Sequence, residues 1–325
     1  MPVTKFYPYA IGRIRVIENN LFTFNQLVQL VDTKNMEDAL KMLKDKGYNV
    51  GNEAEISDFE SILTEETAKT YKLLREMLDN NHFFSVFLGE LDYHNLKAIL
   101  KSSISPVDHA GFLADGGTIS PETMKKAIED KNYKSLPAHM AECIEKALEA
   151  YAQSGDGQLI DIISDKATFS FMIKEADLNS DKSLGEYVRT VIDLTNIKNI
   201  MRIKKMKKSF SDFEAVLLAD GSLDKDFFSK VWDKTNPVIA FRATPYNAVC
   251  TESLQNDLST FEKDCDNFIM AKMKSEKNDP LSLRAVSGYL YAKKTEIKNI
   301  RIILSGKVNN IDPQIIKSRL RDAYV

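Results

Sequence analysis

A nine-residue pattern recurs three times along this chain at nearly constant intervals. Its copies are Asp92-Tyr93-His94-Asn95-Leu96-Lys97-Ala98-Ile99-Leu100, Asp193-Leu194-Thr195-Asn196-Ile197-Lys198-Asn199-Ile200-Met201 and Glu296-Ile297-Lys298-Asn299-Ile300-Arg301-Ile302-Ile303-Leu304. The shared order is acid, apolar, any, Asn, Leu or Ile, base, any, Ile, Leu or Met, and the asparagines stand 101 and 103 residues apart. Repetition at a fixed period constrains a fold more than any single motif, because each copy must be one structural unit that buries the same face. Flanking residues extend the register: Gly185 and Gly288 each lie 11 residues before their asparagine, and Leu113-Ala114-Asp115-Gly116 matches Leu218-Ala219-Asp220-Gly221 at a distance of 105. Helix-start signals follow, Ser120-Pro121-Glu122 after the first copy and Asp312-Pro313-Gln314 after the third, with Asp224-Lys225-Asp226 at the corresponding point of the second. A capping Ser or Asp before a Pro whose missing N–H does no harm is a strong initiation signal. The expected division is 1–134, 135–236 and 237–325, each unit a long motif helix, a turn and a shorter helix.

The repeat is helical. Phe22, Leu27, Leu30 and Val31, then Met36, Leu40 and Leu43, recur at three- and four-residue steps, with Asp32-Thr33 as a candidate cap between them and Gly47 as a stop. Tyr71, Leu74 and Leu78, Met124 and Ile128, Ile144, Leu148 and Tyr151, and Val188, Val191 and Ile192 repeat the spacing. Strict alternation of apolar and polar residues is nowhere sustained. Only 13 Gly and 9 Pro occur in 325 residues, too few turn-formers for a sandwich, barrel or propeller. With 43% hydrophobic and 28% charged residues the chain can build a core beneath a solvated skin. An all-α fold is expected.

On such a helix Asp92, Asn95 and Ile99 share a face, Leu96 and Leu100 lie beside it, and Lys97 points elsewhere. The repeated asparagine therefore stands at the edge of an apolar stripe, where a buried amide needs partners. The favoured reading is a fastening of the motif helix to a neighbouring loop or helix end in each unit; the alternative is a ligand contact made three times. The motif set is Asp92, Asn95, Lys97, Asp193, Asn196, Lys198, Glu296, Asn299 and Arg301.

Chemistry is harder to find. Gly155-Asp156-Gly157 is the only Gly-x-Gly and lacks the Lys-Ser/Thr of a phosphate loop. Asp177-Leu178-Asn179-Ser180-Asp181 begins like a calcium loop, but Lys182 replaces the glycine and Val188 the glutamate. His82, His94, His109 and His139 form no metal-ligand spacing. Cys143, Cys250 and Cys265 are an odd number without paired spacing and read as buried hydrophobes in a reducing compartment. No catalytic, cofactor or metal site is expected, nor a signal peptide or membrane span. The basic run Arg202-Ile203-Lys204-Lys205-Met206-Lys207-Lys208 is the sharpest charge feature. It reads as a solvated helix end, where cations suit the dipole, or as a surface for an acidic partner or anionic lipid. Nucleic acid is disfavoured by the net charge of −3 and the absence of interleaved aromatics. With Asp115, Gly116, Asp220 and Gly221 of the repeated turns, this run is the candidate partner-facing set.

Three copies of Asp/Glu-x-x-Asn-Leu/Ile-Lys/Arg near hundred-residue intervals resemble the C subunit of the A/V-type ATPase, a family that includes the d subunit of the eukaryotic vacuolar ATPase. The opening Tyr7-Pro8-Tyr9-Ala10-Ile11-Gly12-Arg13-Ile14-Arg15 and the close from Gly306-Lys307 through Asp312-Pro313 to Leu320 also resemble it. The resemblance implies three similar helical domains around a pseudo-threefold axis, forming a funnel. It implies a non-catalytic rotor component, a socket between the central-shaft subunits and the membrane rotor (proteolipid) ring, peripheral on the cytoplasmic face, binding no nucleotide. A helical-repeat adaptor or a nucleotide-binding regulator unrelated to rotary ATPases is the alternative.

Overall fold

The computed structural model describes residues 8–51, 59–78, 81–105, 113–114, 116–179, 181–234, 236–250, 257–277, 279 and 282–325. Every regular element among them is a helix. In chain order these are α1 Pro8–Ile17, α2 Phe24–Asp32, α3 Met36–Asp45, α4 Phe59–Met77, α5 Asn81–Ile104, α6 Pro121–Glu129, α7 Ala138–Ser154, α8 Gln158–Leu178, α9 Lys182–Lys205, α10 Phe210–Val216, α11 Lys225–Trp232, α12 Val238–Phe241, α13 Leu258–Glu276, α14 Arg284–Val308 and α15 Pro313–Arg319. No helix of the described residues is long and apolar enough to cross a membrane.

Local chemistry sets the helix ends. Thr23 and Gln26 form a reciprocal capping box at the start of α2, and Ser209 with Asp212 does the same for α10. Ser120, Asp224 and Asp312 accept backbone N–H bonds at the starts of α6, α11 and α15, with Pro first in α6 and α15. Gly155, in the left-handed region at φ +70°, closes α7. One expected cap lies elsewhere: Asp32 ends α2 and Thr33 follows it, while Asn35 caps α3 by accepting from Asp38 N at 2.8 Å. Asn35 is the residue directly before the first turn, where an N-cap has to sit.

The chain divides into two compact units, one of residues 80–237 and one of residues 1–79 together with 238–325. In the first, α8 packs against α5, α7 and α9, over a core that includes Leu96, Leu100, Met124, Ile128, Ile144 and Ile160. In the second, α14 is the centre: α1, α2, α3, α4, α13 and α15 all pack on it. Leu27, Leu30, Leu43, Leu63, Ile300, Ile303 and Leu304 meet in its core. The N-terminal helices thus pack with the third motif copy, which lies more than two hundred residues downstream. The motif helices α5, α9 and α14 carry apolar residues on almost every face, as helices surrounded by neighbours must.

Candidate functional site

Each motif asparagine makes the same two hydrogen bonds. Asn95 donates to Ala114 O at 2.8 Å and accepts from Ala114 N at 2.8 Å. Asn196 holds Leu218 by its carbonyl and its N–H, both at 2.9 Å. Asn299 holds Arg321 at 3.0 and 2.9 Å. A primary amide is a donor and an acceptor side by side, so it can pair one residue's whole backbone as a strand neighbour would. All three asparagines are buried, and each clasp satisfies backbone groups that would otherwise lie unpaired near the core. In the second and third copies the clasped residue follows a seven-residue helix, α10 or α15, that begins 14 residues after the asparagine.

The motif acid fixes the turn ahead of the next capped helix. Asp92 accepts from Thr118 N at 2.8 Å, Thr118 Oγ1 at 2.5 Å and Ile119 N at 3.2 Å, just before the α6 cap Ser120. Asp193 accepts from Ser222 N at 3.1 Å and Leu223 N at 3.0 Å, just before the α11 cap Asp224. Burial pushes the Asp92 carboxyl above the ordinary range, against the pull of its Thr118 and Ile119 donors. Both turns need glycine where the carboxylate approaches: a Cβ on Gly117 would sit 2.2 Å from Asp92 Oδ1, and one on Gly221 2.3 Å from Asp193 Oδ1. Gly116 and Asp220, one residue earlier, share positive φ values of 97° and 64°.

In the third copy the same contact is made by a distant segment. Glu296 accepts from Phe22 N at 2.5 Å, across 274 residues, and Phe22 precedes the α2 cap Thr23. The segment Phe22 to Asp32 therefore takes the role that Ile119 to Glu129 and Leu223 to Trp232 take in the other copies. This corrects the matching of helix starts read from sequence. By their contacts Ser120, Asp224 and Thr23 are equivalent, whereas Asp312, which starts α15, is the counterpart of Ser209. The turns likewise align at 104 residues, Ala114 with Leu218 and Gly117 with Gly221, not at 105.

Glu296 also anchors a buried ionic cluster. It accepts from Tyr48 Oη at 2.6 Å and from Lys293 Nζ at 2.8 Å, and Lys293 pairs with Glu66 at 3.0 Å. Lys293, Glu66 and Glu296 are all buried. Burial alone would depress the Lys293 ammonium; the Glu296 and Glu66 carboxylates outweigh it and push the group well above its ordinary range. Tyr48 is raised by burial and by Glu296.

A lysine eight residues after the asparagine closes the capped helix at its other end. Lys204 donates to Trp232 O at 2.6 Å and Lys234 O at 3.2 Å, with its ammonium 5.3 Å from the Trp232 ring centre. Lys307 donates to Val31 O at 2.8 Å and Thr33 O at 2.7 Å. Burial lowers both ammonium groups from the ordinary lysine range. Lys204, assigned to the partner-facing set from its basic run, is therefore committed inside its own unit. Arg202, Lys205, Lys207 and Lys208 are exposed, as are Gly116 and Asp220, while Gly221 is half-buried against Asp193. Asp115 lies outside the described residues. Of the motif bases, Lys97 pairs with Asp165 at 2.7 Å and Arg301 with Glu60 at 2.9 Å; Lys198 is half-buried on α9.

The model of the family described as ATP synthase (C/AC39) subunit matches residues 10–319. The chain belongs to that family. The C subunit of an A-type ATP synthase from Methanobrevibacter smithii is 25% identical, over 94% of this chain and 86% of its own length. Its counterpart from Thermococcus onnurineus is 25% identical over 99% and 92%, and the C subunit of the V-type sodium ATPase from Enterococcus hirae is 25% identical over 82% and 83%. As a C/AC39 family member the chain is a non-catalytic structural subunit of a rotary ATPase.

The remaining ionisable groups of this C/AC39 family member have local duties. Asp181 caps α9 and Asp177 pairs with Arg189, so the start of the calcium-like loop serves helix ends. His139 stacks on Phe171, 4.4 Å between ring centres, and bonds Tyr93 Oη at 2.9 Å; burial lowers its pKa. His82 faces Glu175 at 2.9 Å, His94 is exposed, and His109 lies outside the described residues. Burial pushes the thiols of Cys143 to about 11 and Cys250 to about 12. Among the described residues no group of three metal-ligating side chains converges. Sequence reasoning missed Lys293, Glu66, Tyr48, Gly117 and Lys307. Two of them carried a signal in the repeat: Lys307 stands 103 residues after Lys204, and Gly117 stands 104 before Gly221.

Proposed function

We propose that this protein is the socket of the rotor, coupling the central-shaft subunits of the ATP-hydrolysing head to the membrane rotor ring on the cytoplasmic face. The single observation that carries this reading is the family match along 10–319, nearly the whole chain. In keeping with it, the polar groups at the heart of each repeat are used to fasten helices rather than to face a substrate. A coupling element has to resist torque, and clasps that pair backbone groups inside packed cores supply stiffness. We further propose three similar units around a pseudo-threefold axis as a funnel, with sequence cuts near Lys134 and Pro237 and with the N-terminal helices completing the third. Arg202, Lys205, Lys207 and Lys208 with Gly116 and Asp220 form a partner-facing rim in this proposal.

The test is to purify the rotary complex with and without this chain and reconstitute it in vesicles. Omission is expected to leave ATP hydrolysis by the head and abolish ion transport; undiminished transport would refute the socket. Alanine at Lys205, Lys207 and Lys208 is expected to weaken binding to shaft or ring, and unchanged binding to both would retire the rim.

A further inference from the structure

A groove of about 780 Å³ runs along α13, α14 and α15. Ile302 and Ile316 line it, and its apolar lip is unusually open: Ile311 is 43% and Ile315 49% exposed. Val308, beside the lining residue Asn309, continues this surface at 45% exposure. Scattered exposed isoleucines need no explanation, but three large apolar side chains within eight residues at the mouth of a groove do.

The repeat itself shows that the framework does not require them. Counting 103 residues back, as the asparagines dictate, the equivalents of Val308, Ile311 and Ile315 are Lys205, Lys208 and Asp212. At these three positions the same helix end and the same capped seven-residue helix carry polar side chains, and the exposed apolar residue there is Met206, at the equivalent of Asn309. The apolar character of the third copy is therefore a property of its surface and not of its fold.

The walls decide what the surface fits. Among the described residues, Lys263, Lys298, Arg301, Arg319 and Arg321 line the groove against one acid, Asp257. Asp266 pairs with Lys298 and Arg321, and Glu60 with Arg301. Among the described residues these five cations thus meet three carboxylates, Asp257, Asp266 and Glu60, a local positive excess in a chain whose net charge is −3. An apolar lip framed by cations complements a helix with one apolar face and acidic flanks, laid into the groove by its apolar side chains.

We propose that this groove docks an acidic amphipathic helix of a neighbouring subunit in the rotary complex. The source of the partner rests on the rotor-subunit reading; the chemistry of the occupant rests on the groove. The experiment places the photo-crosslinker benzoylphenylalanine in place of Ile315 in the full chain, within the purified complex, and maps the product by mass spectrometry. The expected product joins position 315 to a helix of another subunit with net negative charge and apolar residues at three- and four-residue spacing. A cross-link to a second copy of this chain, to lipid or to a basic segment overturns the proposal, as does no cross-link from a chain that co-purifies with the complex. A chain that fails to co-purify at all sinks the rotor-subunit reading with it. As a second arm, Lys263→Glu with Arg319→Glu should weaken rebinding to complex stripped of the chain at least tenfold, and Ile315→Asp should do likewise, with unaltered thermal melting. Unchanged rebinding by these folded variants overturns the proposal.

Discussion

The second and third copies of the motif reach one arrangement by different routes. In the second, Asp193, Asn196 and Lys204 grip residues that follow within 30 positions: Leu223, Leu218 and Trp232. In the third, Asn299 finds Arg321 at the same spacing of 22, but Glu296 and Lys307 grip Phe22, Val31 and Thr33 from the far end of the chain. The route changes the chemistry at one point only. Where Asp193 faces Gly221, the third copy has Glu296, one methylene longer, with Asn20 at the equivalent of the glycine, the buried Lys293 and Tyr48 as added partners, and Glu66 pairing with Lys293 in turn. A contact across 274 residues closes a much longer loop than one across 30, at a greater entropic cost. The extra ionic partners fix a junction that chain connectivity does not enforce.

The largest expected effect tests that junction. Lys293→Met removes the one ammonium between two buried carboxylates and should destabilise the protein by about 3–5 kcal/mol in urea unfolding. Because the folded state raises the lysine pKa, its contribution is complete below the unfolded value of about 10.4 and falls only as pH rises through the higher folded value. The difference between Lys293→Met and the parent should therefore persist unchanged from neutral pH to about pH 10. A difference that fades as pH rises from about 8 to about 10 would break the contrast between the two copies.

Next in size are the clasps. Asn196→Leu and Asn299→Leu should each cost about 2–4 kcal/mol, since each leaves a buried N–H and C=O unpaired. Asn95→Leu should cost less, because Ala114 is only partly buried and water can replace the amide. Equal losses at all three sites, measured by thermal and urea melts, would show that burial of the clasped residue does not matter. Gly221→Ala should then cost about 1–3 kcal/mol by forcing a methyl against Asp193, while Asn20→Ala stays within about 0.5 kcal/mol of the parent. A Gly221→Ala protein as stable as the parent would remove the steric distinction between the second and third copies.

The smallest effect separates the first copy from the others. Lys204→Met and Lys307→Met should each lose about 1 kcal/mol, by calorimetry, as helix-end carbonyls lose their cation. The first copy has Ser103 at this position, and α6 closes itself: Lys131 at φ +50° lets Asn132 N bond Ala127 O and Lys131 N bond Ile128 O. Ser103→Lys should therefore add nothing measurable.

The sequence determined a good deal without coordinates. The helical class followed from three- and four-residue spacing and from the scarcity of Gly and Pro. The burial of Asn95, Asn196 and Asn299 followed from their place beside an apolar stripe, as did the inward face of each motif helix. The capped starts at Ser120, Asp224 and Asp312 were legible because an N-cap is a local device, complete within a single turn. Which start completes the third copy was not legible. Ser120 and Asp312 look alike because both are caps followed by Pro, yet Asp312 stands in the place of Ser209. The offset from the asparagine separates them, 13 residues for Asp312 and Ser209 against 25 for Ser120, but only the partner across the turn, Glu296, shows that Thr23 takes the place of Ser120 in the third copy. Nothing near Phe22 announces Glu296, and nothing in a solvated-looking Glu66 or Lys293 announces burial. Local periodicity records which face of a helix is inward, while the choice of neighbour depends on packing summed over segments that sequence order keeps apart.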